Sequence, residues 1–173
     1  MTPDEHHRHR SAVLRAKVLT VSDGVARGER EDRSGAALVD RLSGDGWDVV
    51  EQAVCEDGDR AVADALARLV DGFHGLVVTT GGTGFGPRDR TPEGTRRLLD
   101  REAPGLAEAM RLVSPLGRLS RAVAGTAGTA LVLNTPGSTR GCVETLEAVL
   151  DVLAHAVGLL VDNEDPHPTG GPR

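Results

Sequence analysis

The residues best suited to chemistry lie in the stretch from Leu76 to Glu93. An apolar run over residues 76–78 is typical of a buried strand in a parallel sheet. Thr91 is expected to cap the helix that follows, with Pro92 at its first position. Loops between a strand's carboxyl end and a helix bind anionic ligands in open α/β sheets, which predicts a phosphate site here with Asp89 inside the loop. The glycines that let this loop turn and approach a ligand are Gly81, Gly82, Gly84 and Gly86. A plain strand-to-helix connection is the alternative, because such turns occur in many α/β proteins.

Polar residues also follow the other predicted strands, as Ser22-Asp23, Asp57 and the segment 134–138. Because parallel strands end at one edge of a sheet, we expect these groups to converge there. Carboxylates that hold Mg²⁺, together with glycine amides that bind phosphate oxygens, favour phosphoryl or nucleotidyl transfer. No serine or cysteine stands with a histidine in a recognisable nucleophile context, which argues against acyl transfer. Asp57 as a turn residue, and Pro136-Gly137-Ser138 as a turn and helix cap, remain the alternatives. The arginines expected within reach are Arg88, Arg90 and Arg121.

Composition excludes several other classes of function. The chain has 173 residues and a formal net charge of −6, so it lacks the broad basic field of a nucleic-acid-binding protein. Its few aromatic residues provide no base-stacking platform. Cys55 and Cys142 stand apart without metal-ligand spacing, which predicts incidental thiols. No segment has the apolar length of a membrane span or signal core, so we expect a cytoplasmic protein.

Alternating strands and helices predict one α/β domain with three layers and a mainly parallel sheet. A tight link through Gly128 predicts one antiparallel pairing. The domain is expected over residues 16–161, with a flexible, histidine-bearing leader at 1–15 and a flexible tail at 162–173.

The predicted elements follow from hydrophobic spacing and from capping residues. Ser34 is expected to cap the first helix, Asp59 the second and Thr91 the third. The predicted strands are 16–21, 47–54 (toward a sheet edge), 76–80, 119–125 and 131–135, and the later helices are 93–101, 106–113 and a single long helix over 141–161.

The glycine loop resembles a signature of the molybdenum cofactor biosynthesis family that contains MogA, MoaB and the G domain of gephyrin. The matching segments are Gly81-Gly82-Thr83-Gly84, Arg88-Asp89-Arg90-Thr91-Pro92 and Pro104 to Arg111. Two positions depart from the family pattern. Arg90 stands where a small apolar residue is usual, and Asp57 lies in Cys-Glu-Asp-Gly-Asp rather than after a proline.

The resemblance implies a molybdopterin adenylyltransferase, in which the terminal phosphate of molybdopterin attacks the α-phosphorus of ATP and pyrophosphate leaves. Asp57 and Asp89 would then be the catalytic pair linked to Mg²⁺, with Asp23 auxiliary. A homotrimer and contacts with other cofactor-pathway proteins are further expectations from the family. The implied substrate-binding residues are Ser22, Asp23, Gly81, Gly82, Thr83, Gly84, Ser120, Arg121, Asn134, Pro136, Gly137 and Ser138.

Two other functions fit the same resemblance. A MoaB-like protein would bind the pterin or nucleotide and assemble with pathway proteins without turnover, although the presence of Asp57 and Asp89 favours the enzyme. A gephyrin-like scaffold is the weaker alternative, because this chain leaves no room for a companion molybdate-inserting domain.

Overall fold

A computed structural model describes residues 13–161. The predicted tail and most of the predicted leader, including its histidines, lie outside these residues. Arg15, predicted to belong to the leader, begins the first strand. The strands are β1 (Arg15–Val21), β2 (Asp48–Cys55), β3 (Gly75–Thr80), β4 (Arg101–Glu102), β5 (Ala124–Ala127) and β6 (Ala130–Thr135).

The strands form one sheet in the order β2-β1-β3-β6-β5-β4. The pairs β2–β1, β1–β3 and β3–β6 are parallel. The predicted antiparallel pairing through Gly128 is confirmed between β5 and β6, and the two-residue β4 adds a second one with β5. Every residue of β3 and β6 is buried, whereas exposure alternates along β2, the predicted edge strand. The mainly parallel α/β fold is therefore confirmed.

Helices cover both faces of the sheet and create two apolar cores. Leu38, Leu146 and Leu153 pack with Val18 and Leu133 on one face. Leu66, Leu69, Leu19, Val77 and Val132 pack on the other. The helices are α1 (Asp23–Ala26), α2 (Arg33–Gly44), α3 (Asp59–Val70), α4 (Thr91–Arg96), α5 (Pro104–Leu112), α6 (Thr139–Glu147) and α7 (Leu150–Gly158), with a 3₁₀ helix at Pro115–Leu119. No helix within residues 13–161 is both long and apolar enough to cross a bilayer.

The three predicted helix caps were wrong. Asp32 is the N-cap of α2, because its carboxylate accepts a hydrogen bond from the Gly35 amide, and Ser34 lies inside the helix. The N-cap of α3 is Gly58 without a side-chain bond, and Asp59 pairs with Arg97 instead. Thr91 is already helical, and its hydroxyl donates to the Gly81 carbonyl at 2.8 Å.

Three predicted elements were also wrong in extent. The helix over 93–101 ends at Arg96, because Arg101 pairs with β5. The strand predicted at 119–125 forms only from Ala124, since Arg121 bonds the glycine loop and Val123 bonds a side chain of β6. The long final helix breaks at Val149 (φ −128°) into α6, which packs on α2, and α7, which packs on β3 and β6.

Candidate active site

A cavity of about 590 Å³ lies at the carboxyl edge of the parallel strands. It collects residues that follow β1, β2, β3 and β6, as the strand topology requires. Predicted site residues in its lining are Ser22, Asp57, Gly81, Gly82, Asp89, Gly137 and Ser138, joined by Thr20, Val21, Val25, Arg30, Glu31, Asp32, Arg33, Ser34, Thr80 and Thr139.

Asp23 and Asp57 bind each other reciprocally across the ends of β1 and β2. The amide of Asp23 donates to Asp57 Oδ2 at 2.9 Å, and the amide of Asp57 donates to Asp23 Oδ1 at 3.1 Å. The parallel pairing of β1 and β2 ends at Val21 and Cys55, and Asp23 and Asp57 each lie two residues beyond that last pair. The sheet register therefore determines where the Asp57 carboxylate lies.

Arg88 connects this pair to the glycine loop. Its guanidinium donates to both oxygens of Asp23, at 2.7 and 2.9 Å, and to the carbonyl of Asp57 at 2.9 Å. The bond from Arg88 lowers the pKa of Asp23; burial opposes this effect, and the Asp57 amide reinforces it. Because both of its oxygens are occupied, we assign Asp23 a positioning role and not a ligand role.

The glycine loop lies against both the Asp57 and the Asp89 carboxylates. A Cβ atom on Gly82 would lie 3.4 Å from Asp57 Oδ1, and one on Gly84 would lie 3.0 Å from Asp89 Oδ2. Gly82 also has φ +67°, which disfavours any residue with a side chain. Asp89 is held by the amide of Gly86, which donates to its Oδ2 at 2.9 Å. Both carboxylates therefore lie against the backbone that would bind phosphate.

The two carboxylates are suitable ligands for Mg²⁺. Among the hydrogen bonds of residues 13–161, none reaches Oδ1 of Asp57 or Oδ1 of Asp89. The same part of the chain has no group of three or more His, Cys, Asp or Glu residues arranged to hold a metal. Mg²⁺ commonly uses one or two carboxylates and takes its other ligands from water and substrate phosphates. The donor set fits a metal that arrives with a nucleotide.

A second turn, Pro136-Gly137-Ser138, lies beside the glycine loop. A Cβ atom on Gly137 would be 3.3 Å from the Cα of Gly81, so the two turns are in close contact. The hydroxyl of Thr80 donates to the Pro136 carbonyl at 2.9 Å. Ser138 caps α6 by accepting from the Gly141 amide, which directs the free amides at that helix start toward the same edge.

Ser138 also lines a second cavity, of about 480 Å³. Ser120 belongs to this cavity and not to the first one, and its hydroxyl accepts from the Ala122 amide at 3.3 Å. Apolar side chains provide much of its wall, which suits a flat ring. The lining residues are Met110, Arg111, Val113, Ser114, Leu116, Gly117, Ser120, Ala122, Pro136, Ser138, Arg140, Gly141, Glu144 and Thr145.

Three predicted ligand-binding residues do not line the first cavity. Asn134 is fully buried; it accepts from the Val123 amide and donates to the hydroxyls of Thr79 and Thr95. Thr83 is buried and outside the cavity lining. Arg121 bonds carbonyls of the glycine loop and lines a separate cavity of about 400 Å³. The structure therefore gives Asn134 and Arg121 hydrogen-bonding roles within the protein and leaves all three residues out of the first cavity.

Asp32 lines the cavity and was not predicted. Its Oδ1 accepts from the Gly35 amide at 2.9 Å, and its Oδ2 accepts from Thr20 at 2.8 Å and from Gln52 at 3.3 Å. An aspartate three residues before Gly35, at the start of an apolar helical pattern, is the signal that could have identified it. Thr20 had no comparable signal, because a threonine within a strand is ordinary.

The fold and the site define a class of α/β protein with a cavity at the carboxyl edge of its sheet, lined by glycine turns and carboxylates. Residues 17–155 match the sequence profile of the family described as "Probable molybdopterin binding domain". The chain therefore belongs to this family of molybdenum cofactor biosynthesis proteins, which confirms the resemblance.

This chain is similar in sequence both to relatives named molybdopterin adenylyltransferase and to relatives named MoaB or cofactor biosynthesis protein B. The molybdopterin adenylyltransferase of Helicobacter pylori J99 is 36% identical over 154 residues, which cover 84% of this chain and 87% of that protein. Molybdenum cofactor biosynthesis protein B of Bacillus cereus is 34% identical, over 80% of this chain and 85% of that protein. The crystal structure of MoaB from Thermus thermophilus is 47% identical with a TM-score of 0.80, and the match covers 86% of this chain and 96% of that structure.

Proposed function

We propose that this protein is a molybdopterin adenylyltransferase that uses Mg²⁺ and ATP. The observation that carries the proposal is the placement of Asp57 and Asp89 against the glycine loop, in one cavity, each with one oxygen that no donor within residues 13–161 reaches. The H. pylori relative named for this activity supports the choice of reaction.

In the proposed reaction a phosphate oxygen of molybdopterin attacks the α-phosphorus of ATP. One P–O bond forms, the bond to the leaving pyrophosphate breaks, and adenylyl-molybdopterin results. The attacking oxygen is already ionised near neutral pH, so the site needs no general base. Asp57 and Asp89 would hold Mg²⁺, which neutralises phosphate charge in such transfers.

The chain's own amides would hold the phosphates. Within residues 13–161, the amides of Gly82, Thr83, Gly84, Gly137 and Ser138 donate no hydrogen bond to the protein. Successive free amides in a turn form an anion site even in an acidic protein. The two turns touch, so they could bind neighbouring phosphates.

We assign the pterin side of the substrate to the second cavity. Its apolar walls suit a flat ring, and polar groups such as Ser114, Ser120 and Ser138 suit the edge of that ring. Ser138 lines both cavities, so a ligand that extends from one to the other would pass this residue.

We also propose that the protein is a cytoplasmic homotrimer that meets other cofactor-pathway proteins. An exposed apolar patch supports association: Leu112 is 84% exposed, Leu116 is 73% exposed, and Val113 and Leu119 lie beside them in sequence. Exposed apolar surface of this kind marks interaction sites.

A pterin- or nucleotide-binding protein without turnover is the second candidate. The 47% identity to the MoaB of T. thermophilus favours it. The placement of Asp57 and Asp89 beside the free amides favours the enzyme, and a measurement of turnover separates the two candidates.

The deciding experiment measures pyrophosphate release by the purified protein with ATP, molybdopterin and Mg²⁺. Asp57→Ala and Asp89→Ala are the test variants, and Asp40→Ala, an exposed carboxylate on α2, is the matched control. We expect turnover in the parent and in the control, and loss of turnover in both test variants. Tight molybdopterin binding without turnover would favour the second candidate, and full activity of either test variant would overturn the site assignment.

A further inference from the structure

Arg121 holds the glycine loop at three points and does not line the cavity that contains Asp57 and Asp89. Its backbone amide donates to the Thr83 carbonyl at 2.9 Å. Its guanidinium donates to the Gly84 carbonyl at 2.8 Å and to the Asp89 carbonyl at 2.6 Å. One residue therefore connects the beginning and the end of the loop that carries the free amides and Asp89.

Glu93 anchors Arg121 to the first turn of α4. The Arg121 Nη1 atom donates to Glu93 Oε1, and the two side chains are only 28% and 30% exposed. Glu93 Oε2 is buried and has no hydrogen-bond partner among the described residues. The unpaired buried oxygen offsets part of the stability that the ion pair with Arg121 contributes, so a role in positioning the loop accounts for the glutamate better than stability alone.

The geometry of the guanidinium matters for this contact. Its Nε, Nη1 and Nη2 atoms each bond a different acceptor, Gly84, Glu93 and Asp89 respectively. A planar guanidinium can satisfy three fixed directions at once, whereas a lysine ammonium is a point charge on a flexible stem. The pair is therefore specific for arginine and not only for positive charge.

We propose that Arg121 and Glu93 form a positioning pair that presents the loop amides and Asp89 to the substrate phosphates, without Arg121 touching the substrate. This inference rests on the proposed function for its consequence in catalysis. It differs from the role that the sequence implied, in which Arg121 binds the ligand directly.

The first arm of the test measures the loop itself and needs no activity. Phe85, at the tip of the loop, is 70% exposed, whereas the other phenylalanine, Phe73, is buried. The fragment that chymotrypsin releases by cleaving after Phe85 is quantified by mass spectrometry for the parent, Arg121→Lys and Glu93→Gln. The controls are Arg41→Lys and Glu147→Gln, which alter a pair of 2.7 Å between α2 and α6.

We expect cleavage after Phe85 to be about tenfold faster in both test variants and unchanged in both controls, because a loop that opens more often is cut more often. Amide hydrogen exchange over residues 83–89 should rise in the same two variants. Parent-like cleavage and exchange in Arg121→Lys and Glu93→Gln would overturn the proposal, whatever their activity.

The second arm separates positioning from direct binding. If the pair positions the loop, Glu93→Gln and Arg121→Lys lower kcat by about ten- to a hundredfold with little change in KM for ATP, and the double variant loses no more than the stronger single variant. Direct phosphate binding by Arg121 predicts a raised KM in Arg121→Lys and a parent-like Glu93→Gln, a result that would also overturn the proposal.

The two failures remain distinguishable. If the parent shows no turnover, the proposed function fails. The positioning role is then still tested by chymotrypsin cleavage after Phe85 and by molybdopterin binding, both measured on the same variants. Parent-like cleavage and exchange in both variants would reject it in that case too. Glu93→Gln keeps the size of the side chain, and Arg121→Lys keeps its charge and its aliphatic stem, so a variant that does not fold is not expected.

Discussion

Asp23 and Asp57 exchange backbone-to-carboxylate hydrogen bonds, so each aspartate orients the other. Arg88 adds a two-point bond to Asp23 and thereby ties the glycine loop to both strand ends. Asp23, Asp57 and Arg88 therefore hold one another in place at the edge of the cavity. Asp23 orients Asp57, whose Oδ1 atom stays available to a ligand.

Replacing Asp23 should reduce turnover without unfolding the protein. Asp23→Asn keeps an acceptor for the Asp57 amide but loses the charged pair with Arg88, so the loop and Asp57 shift relative to each other. We expect kcat to fall by about tenfold or more, with a thermal midpoint close to that of the parent, since exposed pairs add little stability. An Asp23→Asn variant with parent-like kcat would contradict the positioning role. Arg60→Ala, which removes an exposed pair on α3, is the control.

Asn134 is predicted to matter for stability and not for binding. Asn134→Ala would leave the Val123 amide and the Thr79 hydroxyl without their Asn134 partner in the core, and the Thr95 hydroxyl would keep only its bond to the Thr91 carbonyl. We expect a loss of about 2–4 kcal/mol in the free energy of unfolding, measured by urea denaturation. Substrate KM should remain unchanged under conditions where the variant is folded; a large rise in KM would restore the ligand-binding role.

The two thiols should resist alkylation in the folded protein. Burial, reinforced by the charges of Asp57 and Glu56, raises the pKa of Cys55 to about 12, and burial raises that of Cys142 to about 11. Since the thiolate is the reactive form, iodoacetamide at pH 8 should label both about a hundredfold more slowly than in denaturant.

Cys55 also reports the charge of Asp57. Asp57→Asn removes one of the negative charges that raise the Cys55 pKa, so labelling of Cys55 should accelerate while labelling of Cys142 stays constant. Equal acceleration at both thiols would indicate general loosening of the fold instead. Peptide mass spectrometry resolves the two sites.

Stability conferred by Glu93 should disappear at low pH. Burial raises the pKa of this carboxyl, but the bond and charge of Arg121 outweigh burial and leave it below the ordinary value near 4.5. A lowered folded-state pKa means that the contribution is present above the unfolded value and is lost as pH falls through the folded one. The difference in urea midpoint between the parent and Glu93→Gln should therefore shrink below about pH 4.5. A difference that grows with acid would contradict this prediction.

The exposed apolar patch at residues 112–119 should govern association. Leu116→Asp places a charge in the middle of the patch, and Val152→Asp, on exposed α7 surface, is the matched control. Light scattering after size exclusion should give a trimer mass for the parent and the control and a smaller mass for Leu116→Asp. A monomeric parent would reject the trimer, and an unaffected Leu116→Asp variant would place the interface elsewhere.

Much of the architecture could be predicted because the signals were local. Short stretches of sequence were enough to predict three features: the β-branched run of β3, the alternation along β2 and the turn at Gly128. All three are confirmed. The predictions were wrong mainly where a side chain bonds a residue that is far away in the sequence. Asp59 was predicted to cap a helix but pairs with Arg97, and the segment before β5 bonds the glycine loop instead of extending the strand.

By itself, the sequence determined the family, the position of the glycine loop and the carboxylates that belong near it, because these depend on residue type and spacing. Only the tertiary structure decided which of those residues face the cavity. Asn134 and Arg121 do not line it and bond other parts of the protein, whereas Asp32, which was not predicted, does line it. The reason is physical: hydrogen bonds between residues far apart in sequence, such as those of Arg121 to the loop, determine side-chain direction, and no local pattern encodes them.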